Sequence, residues 1–242
     1  MSVKRGLLLV ALAFALAPLS VLADTLDFTV NITNSNALGG TISYAGGVNP
    51  LVGTNIVVDT VTDVTTGITY DLGDGPGTGF GTLSFTTGAS TGGWTFGGGG
   101  SIKISAPCID SDADNADFCG VGDDTLASGA LGTNVFLSGV VDSASVNVSG
   151  GTFHVSIVLA TDQKDINLLN LFGITPPTAW NAGANISFNT AGNVSTGNAF
   201  TSSSLGSGDV QNTPTPEPSS LLLLGTGLLG LGGAIRRRVI GA

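Results

Sequence analysis

The stretch "CIDSDADNADFC" holds the side chains best suited to chemistry in this sequence. Cys108 and Cys119 are the only cysteines, and they enclose Asp110, Asp112, Asp114 and Asp117, with Asn115 between the last two. In an exported chain two cysteines this close are expected to form a disulfide. On the chain-entropy view, closing a loop of about twelve residues stabilises by roughly 3 kcal/mol. Crowded carboxylates repel one another unless water or a cation neutralises them. Oxygen ligands at alternate positions of a curling loop are what Ca²⁺ takes. Calcium is therefore the one cofactor the residues suggest, and a solvated acidic hairpin tip is the competing reading.

The spacing resembles the acidic calcium loops of EF-hand-like and thrombospondin type 3 repeats. It departs from the EF-hand in two places: Asn115 stands where that loop has glycine, and Val121 where it has a bidentate glutamate. Asp123 and Asp124 could substitute from beyond the second cysteine. Other chemistry finds little support. "GASTG", Gly88–Gly92, matches the nucleophile-elbow pattern, but "GWTFGGGG" after it is a poor helix start. His154 is the only histidine, so a zinc site lacks ligands. Two placed carboxylates would be needed for glycoside hydrolysis, and no aspartate pair stands out. Trp94 and Trp180 are candidates either for stacking on sugar rings or for the core. The reading is of a protein that is not an enzyme.

These residues must be held by a scaffold, and its composition is one-sided. The 242 residues carry a net charge of −10, and only Lys103 and Lys164 are basic between Asp24 and Thr215. Phosphate binding needs clustered Lys or Arg, so no nucleic-acid partner is expected. Leu26, Phe28, Val30 and Ile32 alternate with polar residues. The same period of two recurs in "TISYA", "GITYDL", "TLSF", "SIKIS", "VFLSGVV", "SASVNVS", "FHVSIVLA" and "NISFN". Gly, Asn, Asp and Ser clusters separate these runs. The pattern predicts an all-β body over 24–205, an antiparallel β-sandwich or jelly roll. One short helix is expected in "DINLLNLFGI", capped by Asp165 and ended by Gly173 and Pro176. Residues 206–218, "GSGDVQNTPTPEP", read as a flexible Gly/Ser/Pro linker.

The two ends differ from the body. Residues 1–23 read as a secretory signal peptide: Lys4 and Arg5, an apolar run from Gly6 to Ala17, and small residues at Val21 and Ala23 before a cleavage point at Asp24. This segment is expected as a signal helix. At the other end, 219–235 is apolar and Gly-rich, and its seventeen residues reach roughly 25 Å as a helix at ~1.5 Å per residue. A single transmembrane helix is expected there, at the short end for a hydrocarbon core of about 30 Å. Arg236, Arg237 and Arg238 lengthen it by snorkelling and place its end in the cytoplasm. Pro214, Pro216 and Pro218 disfavour helix before it, leaving an extended strap that a processing enzyme can reach.

Pro216-Glu217-Pro218, the Leu/Gly-rich span and Arg236–Arg238, in that order over 214–238, resemble the PEP-CTERM sorting signal of Gram-negative bacteria. The resemblance implies recognition by an exosortase-type membrane enzyme, cleavage near the motif, and passage from an inner-membrane-anchored precursor to the cell surface or beyond. It also implies association with exopolysaccharide or biofilm. It covers the tail only. The expected function is an exported structural surface or matrix protein, and the alternative is a carbohydrate-binding module, with or without calcium.

Overall fold

A computed structural model of the chain describes residues 25–30, 39–72, 80–107, 109, 135–175 and 180–214. Its compact body spans Asp24–Thr215. The body is all-β. Its strands are β1 (Leu26–Val30), β2 (Thr41–Tyr44), β3 (Pro50–Val58), β4 (Thr60–Asp63), β5 (Ile68–Asp71), β6 (Gly81–Gly92), β7 (Thr95–Phe96), β8 (Ser101–Ser105), β9 (Val135–Ser149), β10 (Thr152–Lys164), β11 (Trp180–Thr190) and β12 (Phe200–Pro214). The one helix among the described residues is α1 (Ile166–Leu171), between β10 and β11.

All twelve strands belong to one sheet, and every pairing is antiparallel. They align as eight staves, four composite (β1 with β2, β3 with β4, β5 with β6, β7 with β8) and four single (β9 to β12). Each stave pairs with the next in sequence. The last, β12, pairs with β11 on one side and with β1 and β2 on the other. The sheet therefore closes on itself as an up-and-down barrel. This corrects the expected sandwich or jelly roll. Both architectures bury one strand face, so alternation is the same in each. Closure depends on the pairing of first and last staves and on bulges, found in the β3–β6, β9–β10 and β11–β12 ladders, that bend the sheet.

An eight-stave barrel is about wide enough for side chains to fill it. Here Phe28, Ile42, Leu51, Leu83, Ile104 and Phe188 are wholly buried inside. Phe85 needs extra room, and Gly53 on β3 supplies it: a Cβ there would strike the Phe85 ring. The outer wall carries Thr82, Ser84 and Thr86 on β6, Ser101, Lys103 and Ser105 on β8, and Asn181, Asn185 and Asn189 on β11. That polarity is the reverse of a lipid-facing barrel, which shows an apolar band outward. The expected signal helix at 1–23 and span at 219–235 lie outside the described residues. Among the described residues, no helix is long and apolar enough to cross a membrane.

Local chemistry sets the turns. Gly150 and Gly151 connect β9 to β10 with φ of 61° and 88°. Positive φ at both central residues is what a tight two-residue hairpin turn demands. Asp63 ends β4 by accepting from Thr65 N at 2.9 Å and Thr66 Oγ1 at 2.6 Å. Asp165 caps α1 as expected, accepting from Asn167 N at 2.8 Å. "GASTG" lies within β6 rather than at a strand-to-helix elbow.

The two mouths of the barrel differ. The upper mouth has the β2–β3, β6–β7, β9–β10 and β11–β12 turns, and beneath them an aromatic cluster. Phe153, Phe188 and Phe200 pack with ring centroids 5.2–6.0 Å apart, and Trp94 and Tyr44 close the group. The lower mouth has the start of β1, the end of β12 and α1. Leu168 and Leu169 of α1 are buried, and Phe172 just after it packs on Tyr70 of β5 at 4.9 Å, so this segment crosses the lower mouth.

Candidate functional site

The lower rim holds the first and last described residues of the body, Thr25 and Pro214. Residues 206–214, expected as linker, form the second half of β12 and pair with β11 up to Trp180↔Pro214. The correction has a physical cause. A Gly/Ser-rich stretch lacks an apolar alternation, yet closure supplies ladder partners on both sides, β1 and β11. Leu26↔Asn212 sets the first and last strands side by side. The buried Asn212 side chain fastens them: its Nδ2 donates to Leu26 O at 3.2 Å and to Val210 O at 2.9 Å. The two ends of the body thus leave from one rim, and the strand order alone hands the chain to residue 215.

Above this rim sits a buried polar knot. A register shift in β10 between Val158 and Thr161 turns Asp162 and Lys164 inward. Both side chains are fully buried and form an ion pair. Lys164 Nζ also lies 3.9 Å from the centre of the Trp180 ring. Burial pulls the Lys164 ammonium down to about 8 from its ordinary 10.5, against the opposing pull of Asp162. Burial pushes the Asp162 carboxyl up, while Lys164 pulls it down. Asp162 Oδ1, Asp165 Oδ2 and Asn212 Oδ1 are buried without a hydrogen-bond partner. A charged, incompletely satisfied interior is costly.

A second feature stands on the outer wall, where β10, β11 and β12 form an open groove of about 380 Å³ lined by His154, Asn185, Ser187, Ser207 and Asp209. Burial raises the Asp209 carboxyl above its ordinary value, and burial together with the Asp209 charge raises Asp27 on the neighbouring β1. Neither the knot nor the groove was identified in the sequence. Lys164 was visible there as a rare base, but no local signal marks a bulge that turns it inward.

The residues singled out in sequence fall elsewhere. Pro216, Glu217, Pro218, Arg236, Arg237 and Arg238, the cleavage pair Ala23 and Asp24, Cys108 and Cys119, and Asp110, Asp112, Asp114 and Asp117 all lie outside the described residues. Ile109, between Cys108 and Asp110, is fully buried. Among the described residues, no three His, Cys, Asp or Glu side chains group to hold a metal. Trp94 and Trp180 are buried, 4% and 8% exposed, and neither offers a face to a sugar. Trp94 Nε1 donates to Asn198 O at 3.0 Å. His154 is exposed on the outer wall.

No curated protein and no solved structure gives a significant match to the chain. A protein-family model, the PEP-CTERM protein-sorting motif, matches residues 214–238. Its first residue, Pro214, is the last residue of β12. Residues 214–238 are therefore a PEP-CTERM protein-sorting motif, and the chain is an exported one, sorted by an exosortase-type membrane enzyme.

Proposed function

We propose that this protein is a non-enzymatic structural component of the cell surface or extracellular matrix, associated with exopolysaccharide. A signal at 1–23 exports it, a span at 219–235 holds the precursor in the inner membrane, and processing near Pro216–Pro218 releases the barrel. The observation that carries the reading is the direct run of β12 into the sorting motif at Pro214. The sorted cargo is a closed barrel whose interior is occupied by side chains and whose wall is hydroxyl- and amide-rich. Such a wall exchanges hydrogen bonds readily with a hydrated polymer. Two of the buried charged groups, Asp162 and Lys164, pair with each other.

The test is C-terminal mapping by mass spectrometry of protein recovered from the cell surface. The expected product ends near Pro218 and lacks Arg236–Arg238. Deleting the exosortase gene should leave the full-length chain in the inner-membrane fraction. Surface protein with an intact arginine tail would overturn the processing step.

A further inference from the structure

The outer-wall groove has a chemistry of its own. His154↔Ser187 and Ser156↔Asn185 pair across β10 and β11, and Asn185↔Asp209 across β11 and β12. With strands about 4.8 Å apart and a two-residue repeat of about 6.8 Å, these side chains frame a face about the size of one pyranose ring. A bulge makes the groove. Between Ile186↔Gly208 and Phe188↔Leu205, β12 sets Gly206 and Ser207 opposite the single Ser187. Ser187 Oγ donates to Ser207 O at 2.7 Å and holds the bulge in place. Gly206 lets Ser187 Oγ take this position, because a Cβ there would displace it.

The polarity of the lining selects the ligand. Ser156 Oγ donates to Asn185 Oδ1 at 2.7 Å, which leaves the amide N–H₂ of this lining residue as its remaining polar group, a donor. Asp209 offers only acceptors when ionised. His154 adds a ring that both donates and accepts. A metal ion has no use for the amide donors, and an anion would meet Asp209 and the nearby Asp27. A vicinal diol satisfies all of it: two hydroxyls donate to the Asp209 carboxylate, and a hydroxyl or ring oxygen accepts from Asn185.

We infer that this groove is a binding site for one neutral, hydroxyl-rich sugar residue of a polysaccharide, with Asp209 and Asn185 as its principal contacts. The inference rests on the matrix reading above and names where the polymer is held. It also moves recognition away from the two tryptophans, which are buried.

Affinity electrophoresis of the mature surface protein tests this, with neutral exopolysaccharide from the producing cells cast into the gel. Wild type should be retarded. Asp209→Asn and Asn185→Ala should each weaken retardation at least tenfold, with melting temperatures unchanged or, for Asp209→Asn, raised. Gln211→Ala, on β12 outside the groove, should behave as wild type. Normal retardation of both groove variants would overturn the groove and leave the matrix reading standing. An unretarded wild type would overturn the matrix reading and the groove with it. Retardation that disappears with a chelator, returns with Ca²⁺ and is untouched by both groove substitutions would move polymer binding to a cation-dependent site elsewhere and overturn the groove.

Discussion

Both mouths of the barrel are closed by apolar packing, but only the lower one, under Leu168, Leu169 and Phe172, also buries charge. The upper is filled by rings whose polar tips are satisfied: Tyr44 Oη donates to Gly47 O at 2.6 Å, and Trp94 Nε1 donates to Asn198 O. The lower also holds an ion pair, an asparagine and a helix cap. The partnerless buried atoms of Asp27, Asp162, Asp165 and Asn212 all belong to elements of this end. Aromatic packing gains stability without conditions, whereas buried charge gains it only if every group is paired. The difference teaches where the molecule can yield. The well-satisfied mouth is the one with the β2–β3, β6–β7, β9–β10 and β11–β12 turns, and the poorly satisfied one holds the start of β1 and the end of β12.

Four experiments would break or sharpen that contrast. The largest effect should come from the upper mouth, where Phe188→Ala removes a buried ring from the aromatic cluster and should cost about 3–5 kcal/mol in urea denaturation. A loss below about 1 kcal/mol would show that the cluster does not hold this end.

Next is the knot. Asp162→Ala alone strands a buried ammonium and should cost about 3 kcal/mol, while Asp162→Leu with Lys164→Met should be neutral or stabilising by about 1–4 kcal/mol. A double variant as unstable as the single one would make the two mouths alike. The same lysine sets a pH dependence. Its folded value of about 8 lies below its ordinary 10.5, so between these values the unfolded chain binds more protons. Stability should therefore rise with pH across that window, and this rise should vanish in Lys164→Met.

A smaller effect is expected at the seam. Asn212→Ala removes the bonds to Leu26 O and Val210 O and should cost about 1–2 kcal/mol. Hydrogen exchange should quicken in β1 and in 208–212 of β12, but not in β9 and β10. Uniform quickening would mean that the lower end does not open by itself.

The smallest effect is on the wall. Asp27→Asn relieves the like charge beside Asp209 and should stabilise by about 0.5 kcal/mol near neutral pH. Both carboxyls are raised in the fold, so the folded state binds more protons just above the ordinary carboxylate value. The gain should shrink as pH falls through their folded values, and thermal melts from pH 7 to pH 4 would follow it.

Much of this architecture is legible along the chain. The alternating runs at Leu26–Val30, Gly81–Phe85, Ser101–Ser105 and Phe153–Leu159 are strands with their apolar members inside. "DINLLNLFGI" forms its helix because Asp165 caps it and Gly173 leaves it at φ 69°. β12 was hidden because its buried apolar residues, Phe200, Leu205 and Val210, fall five apart. Bulges shift the register between them, and no period of two survives. The groove was hidden for the same reason, since Asn185, Ser187 and Asp209 meet only when β11 and β12 pair.

The sequence by itself determined the strand content, the helix cap and the sorting tail. Each depends on neighbours within a few residues: alternation, a capping carboxylate, or a motif read as an extended strap. Only the tertiary structure decided the closure into a barrel, the inward turn of Lys164 and the seam at Asn212. Each of these depends on partners far apart in sequence, such as Leu26 and Asn212, whose pairing local patterns do not encode. Closure also fixed the destination of residues 206–214, because a strand needs a neighbour on each side more than it needs a strand-like composition.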